Sequence, residues 1–435
     1  MGRPGGSGEC CFRGIKYAAL PSQARFHKSA ARFKGFSGPI GSGKSQALCQ
    51  EAVKLAYVNA GRTGLLGAPT YPMLRDVTQA ALFELLGTNR IPYEHNKSEN
   101  TLTFRDTGSR VLFRAVDEFD RLRGTNLAWF GLDELTYTQE AAWQVLEGRL
   151  RDSKASRLCG FAAWTPKGFD WVYRRFLHEP VAGYEAIIAK PFENRFLLDR
   201  IPDFYERLRN SYDENFYKQE VLGEYLSLSG SVVYHAFRRA EHVKDVKVDK
   251  EVPLLWALDF NVDPMCSVVA QKIGDVVHVV DEIVISRAST EEACEEFHRR
   301  FPQHMKGVVI YGDATGARMQ TAGSSDYEIV RNYFRREGYT DVEYKVPRSN
   351  PPVRERVELV NAKLRSAAGE MRLVVDGKCR ELMRDFEEVS YKADTTVIDK
   401  DKNPKRTHLS DALGYLIWQE CRIQAPVGER PERLF

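Results

Sequence analysis

Residues Gly38 to Ser45 read GPIGSGKS and fit the pattern G-x-x-x-x-G-K-[ST]. The residue types suit the binding of a polyphosphate. Gly38, Gly41 and Gly43 let the backbone curl until several N–H groups face one phosphate, with Ser42 inside the curl. Lys44 reaches the β- and γ-phosphates, and the Ser45 hydroxyl is a ligand for Mg2+. A helix is expected to start here, over QALCQEAVKLAYVNA, and to add the positive end of its dipole.

Such a loop needs an acidic partner on another strand. Asp133 and Glu134 follow the apolar run LAWFGL directly. Asp133 suits the Mg2+ shell, and Glu134 suits orienting and deprotonating the attacking water. An isolated Asp-Glu pair is usually a solvated one, but this pair ends a hydrophobic strand downstream of the glycine-rich loop. Thr165 and Pro166 end the next apolar run, FAAW, where a polar residue could sense the γ-phosphate or simply turn the chain. Gln23, ahead of the loop, could read an adenine edge, although a solitary glutamine has many other uses. Arg121 and Arg123 lie in FDRLRGTN. Arg123 could reach a neighbouring subunit's γ-phosphate, against the commoner surface arginine.

A second set of carboxylates lies further along. Asp259 sits in the apolar run LLWALDF, where an unpartnered carboxylate is costly. Asp313 follows GVVIY directly, and Asp411 opens the run HLSDALGY. Asp263 shares a face with Asp259 if that strand continues, but Pro264 argues that it stops. Singly, each aspartate reads as a cap or turn residue. Gathered at one sheet edge, Asp259, Asp313 and Asp411 would hold two divalent cations able to activate water against a phosphodiester. His408 could be a supporting polar group, but reads by default as a surface residue. Lys400, Lys402, Lys405 and Arg406, with Arg348, Arg354 and Arg356, read either as phosphate contacts or as a solvated face.

The elements that must position these residues follow an α/β pattern. Apolar runs at 62–68, 127–132 and 157–164 read as buried strands, and Thr101–Val116 reads as a hairpin around Asp106-Thr107-Gly108-Ser109. Alternation with helices predicts a parallel sheet. Aromatic- and charge-rich helices follow from Glu193. A second α/β unit begins near Val252, with strands in PLLWALDF, 275–285 and GVVIY, and a closing helix at 408–420. The expected division is a flexible lead 1–16, a nucleotide unit 17–192, a helical linker 193–245, a second unit 246–425 and a loose tail 426–435. The 435 residues are 43% hydrophobic and 28% charged, with a net charge of +3, so nucleic-acid contact requires local basic surfaces. Eight scattered cysteines fit a reducing compartment, and the N-terminus has no apolar core of a secretory signal.

Taken together, Gln23, GPIGSGKS, Arg123-Gly124, GLDE, the strand end at Thr165 and three late acids resemble, in that order, the large terminase subunit of tailed bacteriophages. The resemblance covers roughly Tyr17 to Trp418, including QEVLGEYLS. It implies an additional-strand P-loop ATPase with a parallel-rich sheet, joined to a ribonuclease H-like nuclease with a mixed sheet. By the same resemblance Arg123 acts in trans, Thr165 with Pro166 couples hydrolysis to motion, and Asp259, Asp313 and Asp411 bind metal. The segment reads WTPKG where many members carry Asn, which leaves the role of Thr165 open.

The function expected is an ATPase and metal-dependent endonuclease of viral genome packaging. ATP with Mg2+ would drive double-stranded DNA into a capsid, and Mg2+ or Mn2+ would serve cleavage of concatemers. The implied partners are DNA, a portal ring, a small terminase subunit and further copies in a ring, five by resemblance, in the host cytoplasm and away from membranes. The competing readings are a cellular helicase or translocase with a fused nuclease, and an assembly scaffold that binds ATP without turning it over.

Overall fold

The computed structural model describes residues 17–226, 231–261, 263–302, 304, 306–317, 324–392, 397–402 and 406–421. The expected lead and tail, Cys10, Cys11 and Lys405 lie outside them. Two compact units form, one from residues up to 204 with 218–226, the other from 205–217 with 231–421. Helices Arg195–Arg200, Phe204–Ser211 and Glu214–Glu220 supply the aromatic- and charge-rich stretch.

The first unit contains β1 Phe33–Ser37, β2 Thr63–Ala68, β3 Tyr93–Asn96, β4 Thr101–Phe104, β5 Arg110–Ala115, β6 Trp129–Leu132, β7 Cys159–Trp164 and β8 Tyr184–Ile188. They lie in the order β3-β4-β5-β2-β6-β7-β1-β8. Six strands from β5 to β8 pair in parallel. β3 and β4 extend the edge antiparallel. β7 therefore separates β1, which leads into the glycine-rich loop, from β6, which ends at the acids. This is the additional-strand arrangement. Both faces of these central strands are covered, so they read as continuous apolar runs. Their glycines make room for aromatic rings on the next strand. A Cβ at Gly64 would sit 2.0 Å from Trp129, one at Gly35 2.1 Å from Trp164, and one at Gly131 2.5 Å from Phe161.

One ionic cluster ties the first helix, Pro21–Lys28, to the helix Lys44–Val58 that follows the loop. Glu51, with no exposed side-chain surface, accepts from Lys34 Nζ at 2.8 Å and from His27 Nδ1 at 2.7 Å, and Lys54 Nζ lies 3.2 Å away. Lys34 Nζ also donates to Phe26 O, and Lys54 Nζ to His27 O. Burial alone would raise the Glu51 carboxyl, but its bond from His27 and the charges of Lys34 and Lys54 outweigh it and hold it at about 2.

The second unit contains β9 Val243–Lys244, β10 Leu254–Asp259, β11 Met265–Ile273, β12 Val276–Ile285, β13 Val308–Gly312, β14 Val342–Tyr344 and β15 Leu373–Asp376. Their order is β14-β13-β10-β11-β12-β15-β9. β10, β11 and β12 form an antiparallel meander, and β13 and β14 add in parallel beside β10. This mixed sheet is ribonuclease H-like. Successive residues of β10 face opposite layers. Leu255 and Ala257 pack with helices Val353–Leu364, Arg380–Glu388 and His408–Cys421. Leu254, Trp256 and Leu258 pack with Thr290–Arg300 and Asp326–Arg336. β10 stops at Asp259, so Asp263 does not share its face. Asp263 lies instead in the turn before β11, with Arg287 Nε 4.0 Å away. No helix of the described residues is long and apolar enough to cross a membrane.

Glu51→Ala leaves Lys34 buried without its carboxylate, and we expect the first unit to lose about 3–5 kcal/mol, read by denaturant unfolding. The folded Glu51 pKa lies below its ordinary value. Its stabilisation is therefore present above about pH 4.5 and is lost as pH falls toward 2. A variant as stable as the parent at pH 7 would contradict this role.

Candidate nucleotide and nuclease sites

The loop 38–43 leaves β1 and turns into the helix Lys44–Val58. Gly41 and Gly43 take φ of 75° and 78°, a region that L side chains rarely adopt. The loop backbone is held from outside. Gly38 N donates to Trp164 O at 3.0 Å and Ile40 N to Glu220 O at 2.6 Å. Asn194 Nδ2 donates to Gly41 O at 2.7 Å. The Tyr225 hydroxyl joins Ser37 Oγ and Trp164 Nε1. Ser42 is 4% exposed, and its Oγ has no hydrogen-bond partner. A buried hydroxyl left unmatched inside a curl of backbone N–H groups suits an incoming phosphate oxygen. Lys44 Nζ meanwhile donates to Pro39 O at 3.1 Å within the loop.

Gln23 comes to the loop, but as a brace. Its Nε2 donates to Gly43 O at 2.9 Å, and its Oε1 accepts from Leu20 N at 2.9 Å. Both ends of the amide are engaged within the chain, so here it presents no free edge to a base.

Asp133 and Glu134 emerge from the end of β6. Asp133 is 2% exposed and accepts from Thr78 Oγ1 at 2.9 Å. Burial pushes its pKa up, against the bond from Thr78, the charge of Lys44 and a bond from Ser45. Glu134 has φ 48° and ψ 52°, an uncommon conformation for a residue with a Cβ. Burial raises its pKa to about 7, opposed by Lys44 and supported by Asp133 and Glu220. A carboxylate with that value is matched to proton transfer near neutral pH. Asp133, Glu134, Thr78, Thr165 and Glu220 line one cavity of about 290 Å³. Thr165 is thus placed beside the two acids. Its carbonyl accepts from Thr136 Oγ1 at 3.2 Å. Arg123 does not line this cavity. It is exposed on the turn Phe119–Gly124, with Nε 2.8 Å from Asp120 Oδ1, and Arg121 pairs with Glu118. Glu220 lies in QEVLGEYLS, but nothing in that run points to the two acids, which only the fold brings beside it.

In the second unit, parallel pairing of β10 with β13 sets Leu258 opposite Gly312, so Asp259 and Asp313 leave the same sheet edge side by side. Each is 8% exposed. Burial raises the Asp313 pKa and the Asp259 charge adds to the rise, against bonds from Thr315 Oγ1 and Gly316 N. Asp259 Oδ2 lies 2.9 Å from His408 Nδ1 and accepts from Asn261 Nδ2 at 2.7 Å. His408 is therefore a partner of the acid pair and not the surface residue expected.

Asp411, also 8% exposed, is held differently. Its Oδ1 accepts from Arg356 Nη1 at 2.9 Å and its Oδ2 from Lys400 Nζ at 3.1 Å. Burial raises the Tyr415 hydroxyl, the charge of Arg356 opposes it, and the charges of Asp411, Asp259 and Asp313 add to the rise, so all three acids act on this hydroxyl. Among the described residues, no three His, Cys, Asp or Glu side chains close into a metal-ligand group. The helix carrying Asp411 starts on Asp385, whose Oδ2 accepts from Ser410 N at 3.1 Å. That cap lies 26 residues before Asp411 in the chain and has no local signature.

The basic residues divide. Arg348 and Lys402 are exposed. Arg354 pairs with Glu358, and Arg406 with Glu381, Asp385 and Glu388. Arg356 is 5% exposed, which removes it from the surface set.

Residues 36–239 match the family model described as "Terminase large subunit, T4likevirus-type, N-terminal". No curated protein matches the chain. Among solved structures, the large terminase of a thermophilic bacteriophage superposes with a TM-score of 0.64 at 16% identity, over 92% of this chain and 98% of that one. The same phage protein in complex with ATP-gamma-S gives 0.63 at 17% identity, over 92% and 99%. Its complex with ADP gives 0.63 at 16%, over 93% and 100%. Those identities speak to the fold, and the family model speaks to the sequence of the loop-bearing unit. In sequence over residues 36–239, and in fold over most of its length, the chain is thus similar to the large terminase subunits of tailed bacteriophages.

Proposed function

We propose that the protein is the ATPase and endonuclease of a DNA-packaging motor. The observation that carries the reading is the bond from Ser45, at the start of the helix after the glycine-rich loop, to Asp133, with Glu134 beside it in the cavity. In the loop Ser42 Oγ lacks a partner, and burial holds Glu134 at about 7. Lys44 and the loop N–H groups would hold the polyphosphate of ATP. Ser45 and Asp133, hard oxygen donors in contact, fit Mg2+. Glu134 would take the proton of the attacking water, and Thr165 beside it would relay hydrolysis to motion. Gln23 would brace the loop, and Arg123, exposed, would serve a neighbouring copy in a ring, five by family resemblance.

In the second unit we assign Asp259, Asp313 and Asp411 to metal-assisted cleavage. The mutual repulsion of the first two and their all-oxygen chemistry fit Mg2+ or Mn2+. A divalent cation there supplies an activated water and steadies the leaving oxygen when bound. His408 and Asn261 orient Asp259. The substrate is concatemeric duplex DNA, with portal ring and small terminase subunit as partners in the host cytoplasm. The working division of the chain is an ATPase at 17–192, a linker at 193–245 and a nuclease at 246–425. The assignment of Glu134 as a base argues against a non-hydrolysing scaffold, and a helicase would separate strands that a packaging motor leaves paired.

Glu134→Gln should cut ATP turnover by about 10²–10⁴-fold, and unchanged turnover would sink the motor assignment. In the parent, kcat/KM for ATP should rise with pH through about 7, because Glu134 acts only when ionised. A profile already flat at pH 6 would remove Glu134 as the titrating base. Asp259→Ala or Asp313→Ala should abolish Mn2+-dependent plasmid cutting and spare ATP turnover, and persistent cutting in both would refute the metal assignment. Arg123→Ala should lower only the ATP turnover stimulated by assembly. Full loss in dilute protein would place Arg123 at its own subunit's nucleotide.

A further inference from the structure

We infer that Arg356 is the resident counter-ion of the candidate nuclease site, a positioning residue that fixes Asp411 and leaves it a single oxygen for metal. The inference rests on the nuclease reading given above. Arg356 belongs to the helix Val353–Leu364 and reaches the first turns of the helix His408–Cys421. Its Nη1 donates to Asp411 Oδ1 at 2.9 Å and to Asp411 O at 3.3 Å. Its guanidinium lies over the Tyr415 ring, 4.2 Å from the centroid, one turn beyond Asp411. Gly414 packs against the same side chain, and a Cβ there would stand in ordinary contact, 3.4 Å from both Arg356 Cβ and Nη1. Arg356 Nε is buried and has no hydrogen-bond partner.

A guanidinium that is 5% exposed, with one acid partner and an unmatched Nε, is unfavourable on its own. It is tolerated where the surroundings carry an excess of negative charge. Asp411 provides that excess together with Asp259 and Asp313, since all three act on the hydroxyl of the ring that Arg356 covers. Lys400 differs from Arg356 in one respect that decides its role. Its side chain is 57% exposed while the Asp411 side chain is 11% exposed. Lys400 can leave Oδ2 for solvent at little cost, whereas Arg356 cannot leave Oδ1 without stranding a buried charge. Asp411 thus keeps Oδ1 on Arg356 and exchanges Lys400 for a divalent ion at Oδ2. The geometry favours this, because one guanidinium nitrogen holds both Oδ1 and the backbone carbonyl of Asp411 and leaves Oδ2 outside the contact.

The test uses the full chain, with Mn2+ as the probe in the absence of DNA. Calorimetry gives the Mn2+ affinity, plasmid nicking at saturating Mn2+ gives the cutting rate, and a thermal midpoint checks folding. Lys400→Ala should bind Mn2+ about tenfold more tightly, since a competing cation is gone. Arg356→Gln should keep or raise Mn2+ affinity yet lose cutting by about 100-fold, with Arg356→Lys restoring part of it. Loss of Mn2+ affinity, cutting and thermal midpoint together in Arg356→Gln would reduce Arg356 to a packing residue and overturn the inference, as would cutting equal to the parent. Should Arg356→Gln fail to fold, Lys400→Ala and Arg356→Lys decide. Unchanged Mn2+ affinity in the first, with parental cutting in the second, overturns it. A parent protein that neither binds Mn2+ nor cuts would bring down the nuclease reading itself, a different outcome from a parent that does both and variants that match it.

Discussion

Carboxylates that must sit out of water at the ends of strands are the constraint on which both units depend. Asp133 is 2% exposed, and Asp259, Asp313 and Asp411 are each 8% exposed. An ionised carboxylate in such a place survives only if donors or cations surround it. Each unit therefore devotes distant parts of its chain to that surrounding. Thr78 and Ser45 reach Asp133, and His408, Asn261 and Thr315 serve Asp259 and Asp313. Where the surrounding is incomplete, the proton is held more tightly, and Glu134 rises to about 7. A poorly compensated charge and a residue ready to take a proton are here one fact seen from two sides.

The loop obeys a related constraint. Glycines that permit its curl also remove the side chains that could stiffen it. Stiffness comes from outside, through Gln23, Asn194, the Glu220 carbonyl and the Tyr225 hydroxyl acting through Ser37. Glu51 extends that support, because its ionic cluster fixes the helix that carries Gln23 against the helix that follows the loop. The site is thus held by residues spread along the chain from Gln23 to Tyr225.

What could be read in the sequence follows from this. Local chemistry was legible: the glycine-rich loop, the apolar strands β2, β6, β7, β10 and β13 with acids at three of their ends, and the closing helix with its apolar face. The order of those motifs carried the family. Strands such as β8, β14 and β15 were not foreseen, because they are short and lie at or near sheet edges, where alternation is weak. β11 was hidden behind Pro264, which reads as a stop although the next strand begins one residue later. Residues whose role depends on a partner far along the chain left no signal. Asp385 caps a helix 25 residues away at Ser410, Glu220 enters the cavity of Asp133 and Glu134 from beyond the sheet, and His408 meets Asp259 across 149 positions.

Arg356 shows how burial changes the meaning of a charge. In VPRSNPPVRERV it is one of three arginines with no feature to separate it from its neighbours. Helical spacing does separate them. Arg354, two residues earlier, turns to Glu358 and lies over Phe216, whereas Arg356 turns inward to Asp411. A basic residue on the surface would attract any phosphate backbone with little regard to geometry. The same residue enclosed against a carboxylate has no access to DNA, and its charge acts only on the acids beside it. Its effect is then on the orientation of Asp411 and on the net charge that the three aspartates present together.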